Sequence, residues 1–474
     1  MSNVEPISGT LPTVVPEEQS FANITSANLE YLRGTGRARD RFRATSFQDY
    51  VFITNIQKEV EYDSTETLTR YNISEISNVY RPTKAQVNVK LVSYDTQYRI
   101  ELTLDNDDVI TGNHTTPSLT DGSGNPIVVS TETIAAKLIS NSDTISGTTT
   151  IGSSTVTSVT TADIAFVHVG ELVTGTGIPA NTFVGSVAAT SFTLVNEAGA
   201  AVNATANGSQ SLTLGEGLDQ TDIHNELTLT RQNSQILISL ANANRYIKKL
   251  VISDARGNTL MDGFADQVTS LVNLPDASWH GYTVLVAPDG TSDQSSYYLK
   301  FNAEGTTTNG TFNRGVWEES SGWGTRGKFD DNTMPHAFIY YRNDNGLVRF
   351  TFQPFSGTTY TDGSTSFEVP GWTERLAGDE DELPGPSFVD HSINDVVFFK
   401  NRLGFVSGEN VILSEAGSYY NFWQQSALAV VDADTIDLTA VSNDVAVLNY
   451  ALQQQDELVL FSNENQFRLY SGDN

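Results

Sequence analysis

Short strand-like segments separated by turn residues recur along the chain, and this pattern most constrains what it can fold into. Segment 98–104 (YRIELTL) alternates apolar and polar residues, as a strand with one buried face does. Turn residues Gly, Asn and Asp lie between these segments. Similar segments rich in β-branched and aromatic residues lie at 87–92, 282–287, 297–301, 337–341, 347–352, 396–399 and 457–461. The pattern predicts a mainly β protein with several antiparallel β domains.

Helical patterns are few. Segment 131–140 (TETIAAKLIS) places Ile134, Leu138 and Ile139 on one face and begins with a threonine that could cap a helix. A weaker pattern covers 221–228. The sequence therefore predicts a helix at 131–140, opened by Thr131, and a second helix at 221–228.

The composition excludes several kinds of site. The 474 residues include no cysteine, which removes disulfides, thiolate metal ligands and cysteine nucleophiles. No apolar run approaches the roughly 18 residues of a membrane span, and the N-terminus lacks the basic and apolar parts of a signal peptide. We therefore expect a soluble protein of two or three domains, without an export signal or a membrane anchor.

The charge is strongly acidic. The chain has 57 acidic and 27 basic residues, and its formal net charge is -30. Such a field repels duplex DNA, whose affinity for proteins comes mainly from neutralised phosphates, so we expect no DNA-gripping role. Two interpretations stay open. The acidity could keep a large particle soluble, or it could form a wall past which a polyanion slides without sticking.

Residues 141–215 differ in kind from the sequence around them, because they consist almost wholly of Thr, Ser, Val, Ala and Gly. Segment 170–200 resembles short strands on either side of a Gly-Ile-Pro turn. We predict a small inserted β module, with a loosely structured linker as the alternative. Its core could come from eight apolar residues, namely Val167, Val169, Leu172, Val173, Phe183, Val184, Phe192 and Leu194.

Two acidic groups are candidate cation sites. Asp379, Glu380, Asp381 and Glu382 are adjacent, but neighbouring carboxylates point in different directions, whereas a calcium cage needs spaced, converging oxygens. A second group, Asp432, Asp434 and Asp437, is better spaced but lacks the glycine and closing glutamate of an EF-hand loop. We favour solvated loops over metal sites and expect neither a metal nor another cofactor.

Catalytic motifs are not apparent. The sequence has no HExxH, no GxSxG and no phosphate-binding glycine-rich loop, and a pair of glycosidase carboxylates cannot be picked out among 57 acids. The aromatic residues Trp279, Tyr282, Trp317, Trp323 and Trp372 could form a sugar platform, but we favour core packing or subunit contacts. The six histidines are interpreted as surface or packing residues, namely His114, His168, His224, His280, His336 and His391.

Segment 386–423 (PSFVDHSINDVVFFKNRLGFVSGENVILSEAGSYYNFW) resembles the tail tubular protein B, or nozzle protein, family of short-tailed, podovirus-type bacteriophages. Further blocks at 42–55, 84–102, 295–301, 315–319, 333–340 and 372–389 resemble the same family in the same order. The residues that carry the motif are Asn401, Arg402, Leu403, Gly404, Phe405, Gly408, Glu409, Asn410, Ser414, Gly417, Asn421 and Phe422.

We interpret this motif as structural. Asn401 and Gly404 suit a tight turn, and 408–410 suits a second one, so the segment predicts a β-meander of the kind found in propeller blades. We expect Arg402 to tie a loop to a neighbouring carboxylate, with a channel-facing role as the alternative. The predicted segments are an irregular 1–41, a β-rich domain at 42–140 and 216–355, the module at 141–215, and part of a β-propeller at 356–474.

The resemblance implies a virion structural protein rather than an enzyme. It implies a hexameric nozzle at the tail tip, made in the host cytoplasm, that stacks on a tail adaptor ring and contacts the host envelope and tail fibres. Viral DNA would pass through it without specific binding. The alternative is a tail protein that binds or degrades host-envelope polysaccharide. A receptor-binding fibre is a third class, which the lack of heptads and fibrous repeats disfavours.

The chain departs from the family at both ends. The Gln-, Asn- and Lys-Arg-Pro-rich opening typical of the family is not recognisable in residues 1–41, and the sequence stops at 474, where the family continues. A propeller interrupted there would leave a strand edge unpaired. We therefore expect a fragment or a split gene product, with a second chain or further sequence completing the ring of blades.

Overall fold

The computed structural model describes residues 26–47, 50–65, 82–121, 123–140, 143–215, 217–219, 226–242, 245–288, 296–346, 348–442 and 445–470. The chain divides into two units. The first comprises Met1–Thr69 with Glu319–Asn474, and the second comprises Arg70–Glu318. This division is coarser than the five predicted segments, whose boundaries stay a prediction.

Strands dominate both units. The helices are α1 Ser26–Tyr31, α2 Ala38–Arg41 and α3 Thr131–Ile139, with single 3-10 turns at Asp163–Phe166 and Leu271–Asn273. In chain order the strands are β1 Phe42–Phe47, β2 Tyr50–Asn55, β3 Lys84–Val89, β4 Gln97–Leu104, β5 Val109–Thr115, β6 Asp143–Thr149, β7 Thr155–Val156, β8 Val173–Gly175, β9 Phe183–Ala188, β10 Ser191–Val195, β11 Gly208–Leu214, β12 Leu227–Gln232, β13 Gln235–Leu240, β14 Ile247–Asp254, β15 Met261–Phe264, β16 Gln267–Val268, β17 Ala277–Trp279, β18 Thr283–Val286, β19 Tyr297–Ala303, β20 Phe312–Ser320, β21 His336–Arg342, β22 Val348–Pro354, β23 Thr359–Asp362, β24 Thr365–Glu368, β25 Ile393–Phe399, β26 Arg402–Ser407, β27 Asn410–Leu413, β28 Ile436–Thr439, β29 Leu448–Gln454, β30 Glu457–Ser462 and β31 Gln466–Tyr470.

The eight strand predictions are confirmed, with ends that differ by a few residues. The prediction of a second helix is wrong where it can be checked, since Leu227 and Thr228 begin β12, which pairs with β13. Residues 221–225 lie outside the described residues. Among the helices that the structure describes, none is long and apolar enough to cross a membrane.

The second unit contains two sheets that share one core. The sheets have the orders β12-β13-β3-β15 and β14-β4-β5. Alternate residues of β4, including Tyr98, Ile100 and Leu102, are fully buried and pack with Val87 of β3 and Ile236 of β13. The period-2 alternation seen in the sequence therefore marks the buried face of a β-sandwich. A further sheet of this unit, with the order β16-β18-β19-β20-β17, has its own core around Val284 and Phe301.

Helix α3 covers one end of this sandwich core. Its buried residues are Ile134, Ala135 and Leu138, and the predicted third face residue, Ile139, is only partly buried. The predicted cap at Thr131 is wrong by one residue. Ser130 has the extended backbone of an N-cap, and its side chain accepts a hydrogen bond from the Thr133 N–H at 3.0 Å.

Replacing Ser130 with alanine is expected to lower the free energy of unfolding by about 1 kcal/mol, because it leaves an N–H of the first turn without its acceptor. Thr131→Ala is the matched control and should change stability by less than about 0.5 kcal/mol. Calorimetry of both variants measures the difference. A larger loss for Thr131→Ala would show that Thr131 is the cap after all.

Residues 143–215 form two three-stranded sheets, β6-β11-β8 and β7-β10-β9. The core between them is built only from residues of this segment, with Val156, Phe192, Leu194 and Leu212 at its centre. Of the eight predicted core residues, Val167, Val173, Val184, Phe192 and Leu194 are buried, and Leu172 and Phe183 are half-buried. Val169 was predicted wrongly, since it is exposed beside the Gly170 turn.

In the first unit, the sheet β1-β2-β21-β22 joins strands that are far apart in sequence. The short hairpin β23-β24 follows it, and two antiparallel meanders then run in chain order, β25-β26-β27-β28 and β29-β30-β31. Val397 and Val406 of the first meander pack with Leu448 and Leu458 of the second in one core. The predicted meander is therefore confirmed.

Candidate functional site

The family motif lies on β25, β26 and β27 and on the loop that follows. Phe399 pairs with Arg402 across a two-residue turn, in which Lys400 has φ 46° and Asn401 has φ 61°. Two positive φ values define a type I′ hairpin turn, which asparagine tolerates better than most residues. Gly408, with φ 54°, opens the second predicted turn between Ser407 and Asn410. Both turns thus fix the register of the meander.

Gly404 is not a turn residue, contrary to the prediction. It lies in the middle of β26, opposite Val397 and Leu413. A Cβ atom at this position would lie 2.6 Å from Cδ2 of Leu413 and 3.1 Å from Cγ1 of Val397. A larger residue here would therefore displace side chains from both neighbouring strands.

Strand β26 is buried on both faces, since all six of its residues are buried. On one face Phe405 stacks on Phe422, with ring centroids 4.6 Å apart, and meets Phe388 edge-on at 5.5 Å. On the other face Val406 packs in the core shared with β29 and β30. The strand that carries the family motif is thus the centre of a layered core.

Arg402 binds backbone carbonyls. Its guanidinium donates hydrogen bonds to the carbonyls of Ser414 at 2.7 Å, Asp432 at 2.7 Å, Ala433 at 3.1 Å and Asp434 at 2.5 Å. Within the part of the chain that the structure describes, it makes no ion pair, so the predicted tie to a carboxylate side chain is wrong. Burial lowers the pKa of the guanidinium. Because the residue is only 6% exposed, a channel-facing role is also excluded for Arg402 in this conformation.

The remaining polar motif residues hold the loops around this strand. The Ser414 hydroxyl accepts a hydrogen bond from the Leu403 N–H at 3.0 Å, and the Asn421 side chain donates to the Glu415 carboxylate at 2.9 Å. The Glu409 carboxylate accepts from the Ala446 N–H at 2.7 Å. The Asn410 side chain accepts from the Thr439 hydroxyl at 2.6 Å.

Gly417 adopts φ 84°, and its N–H donates to the Asn401 carbonyl at 2.9 Å. This hydrogen bond connects the loop that follows β27 to the first hairpin turn. The structure therefore brings the motif residues together as one scaffold, in which their polar groups bind other parts of the fold.

The first acidic group, 379–382, is a turn organised around Arg375. The side chain of Arg375 is 1% exposed, pairs with Glu380 at 2.8 Å and lies over the ring of Trp423 at 4.5 Å. Asp379 accepts hydrogen bonds from the N–H groups of Asp381 and Glu382. The carboxylates of Asp379 and Glu380 are thus held by an arginine and by backbone amides within this segment.

The second acidic group points in separate directions. Asp434 accepts from the Val431 N–H at 2.8 Å, Asp437 accepts from the Ser387 N–H at 2.8 Å, and Asp432 offers its backbone carbonyl to Arg402. Among the described residues, no three His, Asp or Glu side chains converge as metal ligands would. The geometry gives each of these aspartates a role in loop structure.

The histidines have separate environments. His114 and His336 are buried, and His114 lies 3.4 Å from Asp143, which also pairs with Lys137 at 2.7 Å. His336 stacks on Tyr31 at 4.0 Å. The other three described histidines lie at turns or strand ends, with Nδ1 of His168 3.6 Å from the Glu171 carboxylate, His280 accepting from the Ala303 N–H and His391 contacting the Val389 carbonyl. His224 lies outside the described residues.

Acidification from pH 6.5 to about 4 is expected to destabilise the protein through His114 and His336. Burial lowers the pKa of each from 6.5 to about 4. In this pH range the two histidines bind protons in the unfolded chain but not in the folded state. The free energy of unfolding therefore falls as the pH falls. The loss is up to about 3 kcal/mol for each histidine, complete near the folded pKa.

Asp331 opposes this trend, because burial raises its pKa from 3.8 to about 6 and the folded state then binds a proton first. Melting temperatures of the wild type and of His114→Asn/His336→Gln, measured between about pH 7 and about pH 4.5, separate the contributions. The wild type should lose more stability over this range than the double variant. Equal losses would contradict the assignment.

The aromatic candidates are divided between the two units. Trp279, Tyr282 and Trp317 belong to the second unit, where Trp317 packs edge-on against Phe301 at 5.1 Å and donates its N–H to the Pro275 carbonyl. Trp372 is buried in the core of the first unit, and Trp323 is half-buried in that unit. The packing interpretation therefore holds for Trp279, Tyr282, Trp317 and Trp372.

Sequence reasoning missed two residues that organise the motif region. Arg375 supports Trp423, and the Glu319 carboxylate accepts hydrogen bonds from the Ser426 hydroxyl at 2.6 Å and the Ala427 N–H. Both lie in blocks that carried the resemblance, at 372–389 and 315–319. Arg375 is the one basic residue of its acidic block, which was a signal available for it, whereas Glu319 follows Glu318 and no local feature distinguishes it.

Comparisons with known proteins match the part of the chain that contains this scaffold. A family model described as bacteriophage nozzle protein matches residues 155–474, starting inside the small β module and including the whole motif region. The chain is also 38% identical over 219 residues to tail tubular protein gp12 of Escherichia phage T7, an alignment that covers 44% of this chain and 24% of that protein. The chain thus spans about a quarter of the curated relative it matches. The match over residues 155–474 shows that the chain belongs to the bacteriophage nozzle protein family, whose members are structural proteins of the phage tail.

Proposed function

We propose that the chain is a subunit of the tail nozzle, that it lines the channel through which DNA leaves the particle, and that loops near the axis gate this channel until adsorption. The observation that carries the proposal is the use of the family motif. Arg402, Ser414, Glu409 and Asn421 all direct their polar groups to backbone or side-chain partners within the fold. We infer that these motif residues stabilise the fold and take no part in a reaction. The stabilised region is called the frame.

The frame has the form expected of propeller blades. Two antiparallel meanders follow each other in the chain, and a shared core joins them through Val406 and Leu458. Radial repetition of such blades leaves few exposed strand edges. We propose that residues 356–474 form part of a β-propeller.

The charge fits passage of DNA without capture. A formal net charge of -30 opposes binding of phosphates, so a DNA strand would slide along an acidic wall. The DNA contact proposed here is therefore transient and not sequence-specific. It requires no cofactor.

The subunit is proposed to assemble as a hexamer on the tail adaptor ring, at the tail tip of the virion, after synthesis in the host cytoplasm. Its other contacts would be tail fibres and the host envelope. Electron microscopy of the purified chain mixed with its adaptor tests this proposal. Six-fold rings with an open centre are expected, whereas a stable monomer that never joins the adaptor would contradict it.

We propose no catalytic step for this subunit. Incubation with host polysaccharide, followed by measurement of new reducing ends, compares the nozzle with an envelope-degrading protein. We expect the purified chain to release no more reducing ends than a control without protein. Sustained turnover that disappears when one specific pair of carboxylates is replaced would overturn the structural function.

A further inference from the structure

A basic segment stands out against the acidity of the chain. Residues 33–43 contain five of the 27 basic residues and a single acidic residue, Asp40, although the whole chain carries a net charge of -30. The arginines are Arg33, Arg37, Arg39, Arg41 and Arg43. The segment joins α1 to α2 and β1 in the first unit, and we call residues 32–41 the arginine loop.

The arginine loop has a built conformation. The Asn55 side chain donates to the carbonyls of Tyr31 at 2.7 Å and Arg33 at 3.0 Å. The Gln57 side chain accepts from the Thr35 N–H at 2.9 Å and donates to the Thr35 carbonyl at 3.2 Å. Two amide side chains of the neighbouring segment thus hold the backbone of the loop in place, so little backbone entropy is lost there when a partner binds.

The arginines divide into two groups. Arg41 donates to the carbonyls of Gly34 and Leu32, and Arg43 donates to the Phe42 carbonyl and the Tyr450 hydroxyl, so both are turned toward the protein. Arg33, Arg37 and Arg39 are turned outward.

The outward group keeps unused binding capacity. The side chains of Arg33 and Arg39 are 77% and 73% exposed, and their ion pairs with Glu30 and Asp40 are too exposed to hold them firmly. Arg37 has no hydrogen bond or ion pair from its side chain within the described residues. The loop therefore presents three guanidinium groups that can each fork onto a carboxylate.

The surroundings of these arginines favour a protein partner over a nucleic acid. Glu30 and Asp40 lie beside them, so the loop carries charges of both signs, which a protein surface can match and a continuous row of phosphates cannot. Leu29, which is 50% exposed, adds an apolar side chain in the preceding helix α1. Exposed arginine with a neighbouring apolar side chain is a composition typical of protein interfaces.

We propose that the outward arginines of the arginine loop dock on surface carboxylates of a second copy of this chain. This inference rests on the proposed ring and names the contact that helps to close it. A second copy is the complementary partner because it brings 57 acidic residues against 27 basic ones. A contact between an arginine loop and a different, acidic surface is heterologous, and heterologous contacts generate closed rings when the rotation between copies allows it.

The double variant Arg37→Glu/Arg39→Glu tests the contact, with Arg231→Glu/Lys249→Glu as the matched control. The control makes the same change in net charge at two exposed residues outside the loop. Sedimentation velocity at about 50 mM and about 500 mM salt measures the dissociation constant between copies, and melting curves verify folding. We expect the loop variant to raise this constant at least about tenfold at low salt and the control to change it less than about threefold.

Three results would overturn the loop contact alone. One is that the loop variant forms rings as readily as the wild type does, a result that would leave the proposed nozzle function unaffected. Another is equal weakening by both variants, which would assign the effect to overall charge. The third is DNA binding through the loop. In that case the anisotropy of a labelled DNA duplex would show binding by the wild type and by the control but not by the loop variant, while assembly stays unchanged. A wild-type chain that stays monomeric under all conditions, with and without the adaptor, would contradict both the ring and the loop contact.

Discussion

Replacement of Arg402 with methionine is expected to lower the free energy of unfolding of the first unit by about 3 to 5 kcal/mol. The guanidinium donates to four carbonyls, those of Ser414, Asp432, Ala433 and Asp434, and methionine leaves these acceptors without their donors. The loop at 432–434 would then lose its tie to the meander. Differential scanning calorimetry of the purified chain measures the loss.

Arg468→Met is the matched control for Arg402. The Arg468 side chain is 65% exposed and pairs with Glu457 at 3.3 Å, so its loss should cost less than about 1 kcal/mol. Arg402→Lys should fall between the two, because an ammonium group cannot reach all four carbonyls in the geometry of a guanidinium. Equal stability of the Arg402 and Arg468 variants would contradict the anchoring role.

The second large effect is expected at Phe405. Phenylalanine to alanine at a fully buried site costs about 3 to 5 kcal/mol, through lost apolar burial and the cavity left behind. Phe405 stacks on Phe422 and contacts Phe388, so this variant also loosens the layer that holds the segment following β27. Urea unfolding followed by tryptophan fluorescence measures the change.

The control for Phe405 is Tyr470→Ala. Tyr470 is 61% exposed at the end of β31, and its loss should cost less than about 1 kcal/mol. Phe405→Leu should lose less than the alanine variant, because it keeps most of the side-chain volume. A Phe405→Ala protein as stable as the Tyr470 control would show that β26 is not the centre of the core.

The features that local sequence encodes were predictable. The turn at Asn401 follows from the ability of asparagine to adopt positive φ, and the strands at 98–104 and 396–399 follow from the spacing of apolar residues. The turn residues Asn401 and 408–410 placed the motif correctly within a meander. These signals are short-range, so neighbouring residues suffice to produce them.

Features that depend on contacts distant in sequence were not predictable. The acceptors of Arg402 at 432–434 lie about thirty residues away, and the close approach of Leu413 to Gly404 depends on the pairing of two strands. The cap of α3 was misplaced because Ser130 and Thr131 are both good N-cap residues, and only the backbone conformation separates them. The arginine loop lies in a segment whose charge the overall composition conceals.

The most direct test of the nozzle assignment is cryo-electron microscopy of the virion that contains this chain. The proposal predicts six copies around the tail axis at its distal end, with the meanders β25–β28 and β29–β31 fitting the density of a ring around an open channel. Density for this chain in a fibre, in the capsid or away from the tail axis would contradict the proposed function.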